Sequence, residues 1–353
     1  MFSNIFKNKS VLITGHTGFK GSWLTMWLHM LGAKIIAISK DIPTKPSHFE
    51  HFEDITSLDK RFDLCNIDKL QEVISDERPD FVFHLAAQPL VLESYKNPYT
   101  TYCSNAFATL NILECLKKSN HESIVIMITS DKCYENINQV VNYNEDDRLG
   151  GIDPYSTSKA SAELIIKGYC ESFFKTPKSN IKVCSARAGN VMGGGDWAKD
   201  RIVPDLVKSW KMNKVLSIRN SKATRPWQHV LEPISGYLTL ASLMSNNLEL
   251  NGESFNFGPS GSHSHTVEDL VIEISHNLPE SKWEIITEKN QPYEANLLAL
   301  DCSKAKNKLN WESKLNFQQT AEWTGKWYHT YYSKGPKEAI NITKKQIVDY
   351  EKY

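Results

Sequence analysis

Residues 10–39 read SVLITGHTGFKGSWLTMWLHMLGAKIIAIS. SVLIT (10–14) has the length and apolarity of a short buried strand. GHTGFKG (15–21) then places glycine at every third position, an amphipathic helix follows through Leu31, and Gly32 halts it before a second strand, KIIAIS (34–39). Strand, glycine turn, helix and strand form the βαβ unit that receives a dinucleotide. Gly15 permits the tight turn, Gly18 lets a pyrophosphate approach the backbone, and Gly21 lets the helix pack closely. The helix N-terminus offers unpaired N–H groups to the phosphates. A ligand-free glycine turn would carry the same three glycines. The flanking strand and helix are what favour the nucleotide reading.

The alternation continues beyond this unit. Residues 67–77 read as a helix, 80–88 as a strand running into a loop, and 99–119 as a long helix. SIVIMITS (123–130) is a strand, 155–174 a helix, and 182–191 a further strand. Such alternation predicts an α/β fold: a Rossmann-type, doubly wound parallel sheet over about residues 1–188. Residues 189–353 are expected to form mainly a smaller substrate-binding lobe, with the chain crossing between the two. Ligands of such sheets lie beyond the carboxyl ends of the strands. Asp41, just past the second strand, is placed to meet a ribose 2′-hydroxyl and to favour NAD, although Lys40 beside it weakens that expectation.

Lysine plus arginine equal aspartate plus glutamate at 41 each, so no global field favours nucleic acid or a membrane surface. No apolar run approaches the roughly 18–20 residues that span a bilayer. Seven scattered cysteines, without a CxxC pair, read as reduced and mostly buried thiols, with 65, 115, 170 and 184 in or beside apolar elements. The 11 histidines form no ligand cluster, so no metal is expected. Together with an N-terminus that enters a strand almost at once, this suggests a cytoplasmic protein.

DPYSTSKASAEL (153–164) holds Tyr155 and Lys159, a YxxxK pair that shares one helix face. A neighbouring ammonium favours the phenolate of a tyrosine that would otherwise titrate near ~10. TSDKCY (129–134) ends an apolar strand on Ser130, Asp131 and Lys132, a hydroxyl, a carboxylate and an ammonium.

With these motifs the chain resembles the extended short-chain dehydrogenase/reductases and, within them, the nucleotide-sugar 4,6-dehydratases. GHTGFKGSWL (15–24), HLAAQPLV (84–91), TSDKCYEN (129–136), DPYSTSKA (153–160), RAGNVMGGGDWAKDR (187–201) and RPWQHVLEPISGYL (225–238) carry the resemblance, which thins toward the C-terminus. It implies bound NAD, recycled within each turnover, and a nucleotide-sugar substrate, with CDP-glucose foremost. Tyr155 would take the sugar 4-hydroxyl proton with Lys159 beside it, and Ser130 would hold the 4-oxygen. Asp131 would protonate the departing 6-hydroxyl, and Lys132 would take the C5 proton or assist its loss. The cofactor would meet Gly15, Thr17, Gly18, Phe19, Lys20, Gly21, Asp41, Asp63, Leu64, Leu85, Ala86, Ala87, Gln88, Asn105 and Thr129, besides Tyr155 and Lys159. Asn190, Arg201, Arg225 and Trp227 would face the sugar nucleotide. The helices at 99–119 and 155–174 would pair with a second subunit in a homodimer. A 4-epimerase, a dehydratase for another nucleotide sugar, and a non-catalytic dinucleotide sensor remain the alternatives.

Overall fold

A computed structural model of the chain describes residues 2–137, 141–259, 265–286 and 299–353. Seven strands form the central sheet: β1 (Ser10–Thr14), β2 (Lys34–Ser39), β3 (Leu58–Arg61), β4 (Phe81–His84), β5 (Ser123–Ile128), β6 (Ile181–Ala188) and β7 (Ser254–Phe257). Their order is β7-β6-β5-β4-β1-β2-β3, and every pairing is parallel. This is the doubly wound sheet that the alternation predicts. The winding reverses between β1 and β4, which pair in register from Val11↔Phe81 to Thr14↔His84. A crevice therefore opens where both strands end.

Side chains on each strand alternate between two cores. Val11 and Ile13 on β1, with Ile124, Ile126 and Ile128 on β5, enter one. Leu12, Val125 and Met127 enter the other. A strand buried on both faces explains why SIVIMI is continuously apolar. The longer helices are α1 (Phe19–Met30), α2 (Ile67–Glu77), α3 (Ala108–Ser119), α4 (Pro154–Tyr169), α5 (Ile202–Lys211), α6 (Leu231–Met244), α7 (Val267–Ser275), α8 (Phe317–Lys334) and α9 (Pro336–Glu351). Helix α1 sinks Trp23, Leu24, Trp27 and Leu28 into the first core. Burying each such side chain contributes about 1.5–3 kcal/mol. Helices α2 and α3 supply Leu70, Ile74, Ile112 and Leu116 to the second.

After residue 188 the chain divides its material. Helix α6 and β7 join the sheet layers, and α9 returns to α1, where Trp27 Nε1 donates to Glu351 Oε1 at 2.8 Å. The rest is a lobe of short pairings. Val215–Ile218 runs parallel to Lys282–Ile285, and Thr224–Arg225 runs antiparallel to His265–Thr266. Trp197 belongs to the aromatic core there, against Trp327, Tyr328 and Tyr331.

All seven cysteines are free, and four are buried: Cys115, Cys133, Cys170 and Cys184. Cys65 is exposed, contrary to its apolar neighbourhood in sequence, because it follows the β3 edge at the start of a turn. No described helix is long and apolar enough to cross a membrane, and no described cluster of His, Cys, Asp and Glu could hold a metal.

Candidate active site

The turn after β1 is shaped by what cannot be there. Gly15 has φ +78°, and a Cβ on it would sit 2.7 Å from the backbone nitrogen of Ala86. A Cβ on Gly21 would fall 2.1 Å from Gly15 O. The turn therefore lies directly against the strand-end loop of β4, and α1 lies directly against the turn. Gly18 caps α1 with no side-chain hydrogen bond, so the first N–H groups of the helix have no capping acceptor. A bare, glycine-lined helix N-terminus at the sheet's reversal point fits the pyrophosphate of a dinucleotide.

The residues around the turn are held in place. Thr17 Oγ1 donates to Asp41 O at 2.7 Å, and Ser39 Oγ shares a hydrogen bond with His16 Nδ1 at 2.8 Å. Lys40 turns away from the turn to Asp63, 2.9 Å distant, and leaves Asp41 exposed at the end of β2. Asp63 also accepts from Cys65 N, and Leu64 packs into the second core. Leu85 N donates to Thr14 O and Ala86 N to Thr14 Oγ1. Asn105 accepts from Gln88 N at 2.8 Å and donates to Gln88 O and Ser158 Oγ. With its carbonyl accepting once and its amide donating twice, Asn105 braces the 85–88 loop. Beneath it, His84 links Thr14 and Thr109 through its two ring nitrogens. Burial holds this ring neutral, its pKa pulled down to about 3.

The catalytic candidates converge on the end of β5. Asp153 caps α4 by accepting from Ser156 N at 2.9 Å, and Pro154 occupies the first helical turn. That start sets Tyr155, Lys159 and Glu163 on one face, four residues apart. All three are buried. Ser130 caps the turn Asp131–Cys133, accepting from Lys132 N at 3.2 Å while its Oγ donates to Asp131 Oδ1 at 2.9 Å. Ser130 also acts on Tyr155, favouring its phenolate.

Burial pushes the Tyr155 phenol up to about 12, and the nearby Ser130 hydroxyl opposes that rise. Burial pulls Lys159 down to about 8 against the charge of Glu163. Lys20, in the first turn of α1, is likewise pulled down to about 8 by burial, against the charge of Asp131 and with Arg201 and Lys159 also acting on it. The glycine-turn lysine thus shares one charge group with the candidate catalytic residues Asp131 and Lys159. Thr129 donates to Glu163, which also accepts from Ser185 Oγ and Arg187 Nη2 at 2.8 Å each. Arg187 Nη1 continues to Tyr134 OH at 2.8 Å. This buried ion pair ties α4, the β5 end and β6 together. Glu163 was open to detection as the next residue in the YxxxK face; Arg187 was not, because its partner lies 24 positions away.

The residues expected to meet the sugar nucleotide are spread along the lobe. Arg201 pairs with Asp196 at 2.9 Å, and its charge also acts on Tyr155. Arg225 is buried and donates to Thr224 O. Trp227 Nε1 donates to His265 O at 3.3 Å, and Asn190 O accepts from Gln228 N. His229 is a core residue between Trp23 and Trp323; its Nδ1 accepts from Leu231 N, but Nε2 has no hydrogen-bond partner.

The family model for GDP-mannose 4,6 dehydratase matches residues 12–324. The chain is 40% identical over 351 residues to the CDP-glucose 4,6-dehydratase of Salmonella typhimurium, covering 98% of this chain and 97% of that protein. It is 22% identical to the dTDP-glucose 4,6-dehydratase of Haemophilus influenzae, covering 90% of this chain and 97% of that one. Among solved structures, UDP-glucose 4-epimerase of Thermotoga maritima with UDP-glucose superposes with a TM-score of 0.79 at 23% identity, covering 92% and 99% of the two chains. A dTDP-glucose 4,6-dehydratase of Bacillus anthracis in complex with NAD gives 0.75 at 23%, covering 93% and 99%. The fold is shared by epimerases and dehydratases, and by its sequence this chain belongs to the nucleotide-sugar 4,6-dehydratase family that the GDP-mannose 4,6-dehydratase model describes.

Proposed function

We propose that the protein is an NAD-dependent lyase that converts CDP-glucose to CDP-4-keto-6-deoxyglucose. The observation that carries this reading is the buried side chain of Asp131, held by a hydrogen bond from Ser130 and near enough to Tyr155 for its charge to act on the phenol. A 4-epimerase needs a tyrosine to move the 4-hydroxyl proton, but no acid for a 6-hydroxyl. The 40% identity to the Salmonella enzyme supports the cytidine nucleotide.

Gly15, Gly18 and Gly21 would hold the cofactor pyrophosphate, Asp41 the ribose, and Lys159 with the 85–88 loop the nicotinamide side. When bound there, NAD supplies reversible hydride transfer, which lets oxidation at C4 and reduction at C6 cancel. Tyr155 takes the 4-hydroxyl proton. The 4-ketone then acidifies C5–H, and Lys132, on the turn beside Asp131, takes that proton and later returns it. Asp131 protonates the 6-hydroxyl as it leaves as water. Arg201, Arg225, Asn190 and Trp227 would bind the nucleotide diphosphate from the lobe formed by residues after 188. Tyr99, Phe107, Leu164 and Phe173 expose apolar surface along the helices at 98–119 and 154–174, which supports a homodimer through these helices in a cytoplasmic enzyme.

The decisive experiment offers CDP-, dTDP-, UDP- and GDP-glucose to the protein and identifies products by mass spectrometry and NMR. A 4-keto-6-deoxy sugar from CDP-glucose is expected, and galactose-configured product alone would overturn the reading. In Asp131→Asn, loss of the 6-hydroxyl should fall by roughly 10²-fold or more while Tyr155 and Lys132 remain competent. Unreacted CDP-glucose should then take up solvent deuterium at C5, which only a 4-ketone permits.

A further inference from the structure

In the dehydratase reading, on which this inference rests, Asp131 meets the 6-hydroxyl of the sugar. Its two carboxyl oxygens have different surroundings. Ser130 Oγ donates to Oδ1 at 2.9 Å. Among the described residues, Oδ2 receives no hydrogen bond. What lies next to Oδ2 is Gly189, the first residue after β6: a Cβ on it would stand 3.2 Å from Oδ2 and 3.7 Å from Asp131 Cγ. Strands β5 and β6 pair as far as Ile128↔Ala186, and Thr129 N donates to Ala186 O at 3.0 Å. The two strand ends therefore emerge side by side, one carrying the carboxylate and the other the glycine.

Nothing in the fold itself calls for glycine at 189. Its φ is not positive, so the backbone conformation is open to residues with a side chain. Packing does not demand it either. Beyond the Asp131 carboxyl, the nearest atom to that Cβ position is Pro226 Cγ at 4.0 Å, an ordinary van der Waals separation. Gly15 and Gly21 differ, since a Cβ on either would strike backbone. At Gly189 the one group that a methyl would crowd is the carboxylate of the candidate acid. Gly189 and Pro226 are both half-buried rather than sealed in the core, and Pro226 belongs to the lobe, next to Arg225. They flank a slot between the sheet end and the lobe, with Oδ2 in its wall.

We infer that Gly189 is a specificity-determining residue, whose bare Cα admits the 6-hydroxymethyl group of a hexose to Asp131 Oδ2. A hydroxyl oxygen hydrogen-bonded to a carboxylate stands roughly 2.5–3.0 Å from it. The Cβ of any other residue at 189 would lie at nearly that distance from Oδ2, so side chain and sugar oxygen would compete for one space. The two oxygens of Asp131 thus divide their tasks: Ser130 steadies the carboxyl through Oδ1, and Oδ2 faces the sugar. Pro226 bounds the slot from the lobe side and limits the size of the substituent at C5 of the sugar.

The test compares wild type, Gly189→Ala and Gly189→Ser on two ligands. CDP-glucose is followed as keto-sugar formation, and CDP-xylose, which carries hydrogen in place of the hydroxymethyl group, as a dissociation constant by calorimetry. In Gly189→Ala, kcat/KM for CDP-glucose should fall by roughly tenfold or more, chiefly through a raised KM. Gly189→Ser, with one atom more, should lose more. Both variants should bind CDP-xylose as wild type does, because that sugar has no group to collide with the new side chain. A fall in kcat with KM unchanged would overturn the slot, since the methyl would then only have displaced Asp131. Equal losses with both ligands, or none with CDP-glucose, would overturn it too. Wild-type protein that forms no keto sugar from any nucleotide sugar would instead overturn the dehydratase reading, a result distinguishable because it needs no variant.

Discussion

The candidate cofactor cradle at the end of β1 and the candidate proton-handling centre at the end of β5 lie two strands apart in one sheet, yet they are built from different material. The cradle is backbone: three glycines, a bare helix N-terminus, and clearances under 3 Å that exclude any Cβ at Gly15 or Gly21. The proton centre is side chain: Ser130, Asp131, Tyr155 and Lys159, fixed from behind by Glu163 and Arg187. A backbone site has little room to adapt and tolerates few substitutions. A side-chain site is assembled from several elements and can be altered one group at a time. The difference also separates tolerance from legibility, since a backbone site must be written in consecutive residues.

The harshest way to break the comparison is Gly21→Ala. Its Cβ would meet the backbone of Gly15, which cannot rotate aside as a side chain could. Destabilisation of about 4 kcal/mol or more is expected, seen as a lowered Tm that added NAD fails to raise. A variant that binds NAD normally would show that the cradle is softer than its clearances indicate.

Glu163→Gln strikes the supports of the other site. The pair it breaks is almost fully buried, and Arg187 would be left without its counter-charge. About 3–5 kcal/mol of stability should be lost in denaturant titration. A double variant, Glu163→Gln with Arg187→Met, should recover part of it, because no unpaired charge remains.

Between the two sites lies a shared pH sensitivity. Burial holds His84 neutral, and His48 and His229 as well, each with its pKa down to about 3. Their folded pKa values lie below the unfolded value, so the unfolded chain binds the protons. Stability should therefore be full above about pH 6.5 and fall as pH drops toward 3. Each histidine contributes a slope of up to roughly 1.4 kcal/mol per pH unit. Thermal melts between about pH 7 and 5 would show it, and a Tm independent of pH across that window would contradict the burial of these rings. The smallest effect belongs to the exposed Lys40–Asp63 pair at 2.9 Å. Lys40→Met should change stability by no more than about 1 kcal/mol, with NAD affinity the more sensitive readout.

Much of the fold was legible in the sequence because its signals are local. The glycine spacing of 15–21 and the two-sided apolarity of 124–128 each describe an element within a dozen residues, and both elements stand where expected. Tyr155 and Lys159 were legible for the same reason, being one helical turn apart. The buried support network was only partly so. Glu163 continues that helix face, but its partner Arg187 sits on β6, and Tyr134 and Asn256 extend the network from still farther along the chain. Residue type misled at Cys65, where position at a sheet edge outweighed apolar neighbours.

Sequence by itself determined the parallel sheet, the glycine turn and the tyrosine–lysine face, because periodicity and steric need act between residues that are close in the chain. Only the tertiary structure decided that Lys20 answers to Asp131, that Lys40 turns to Asp63, and that the charges of Asp131 and Arg201 both act on Tyr155. Those relations depend on distance through space between groups from different elements. A hydrogen bond or a charge pair acts over a few ångströms, and the chain must fold before such groups become neighbours.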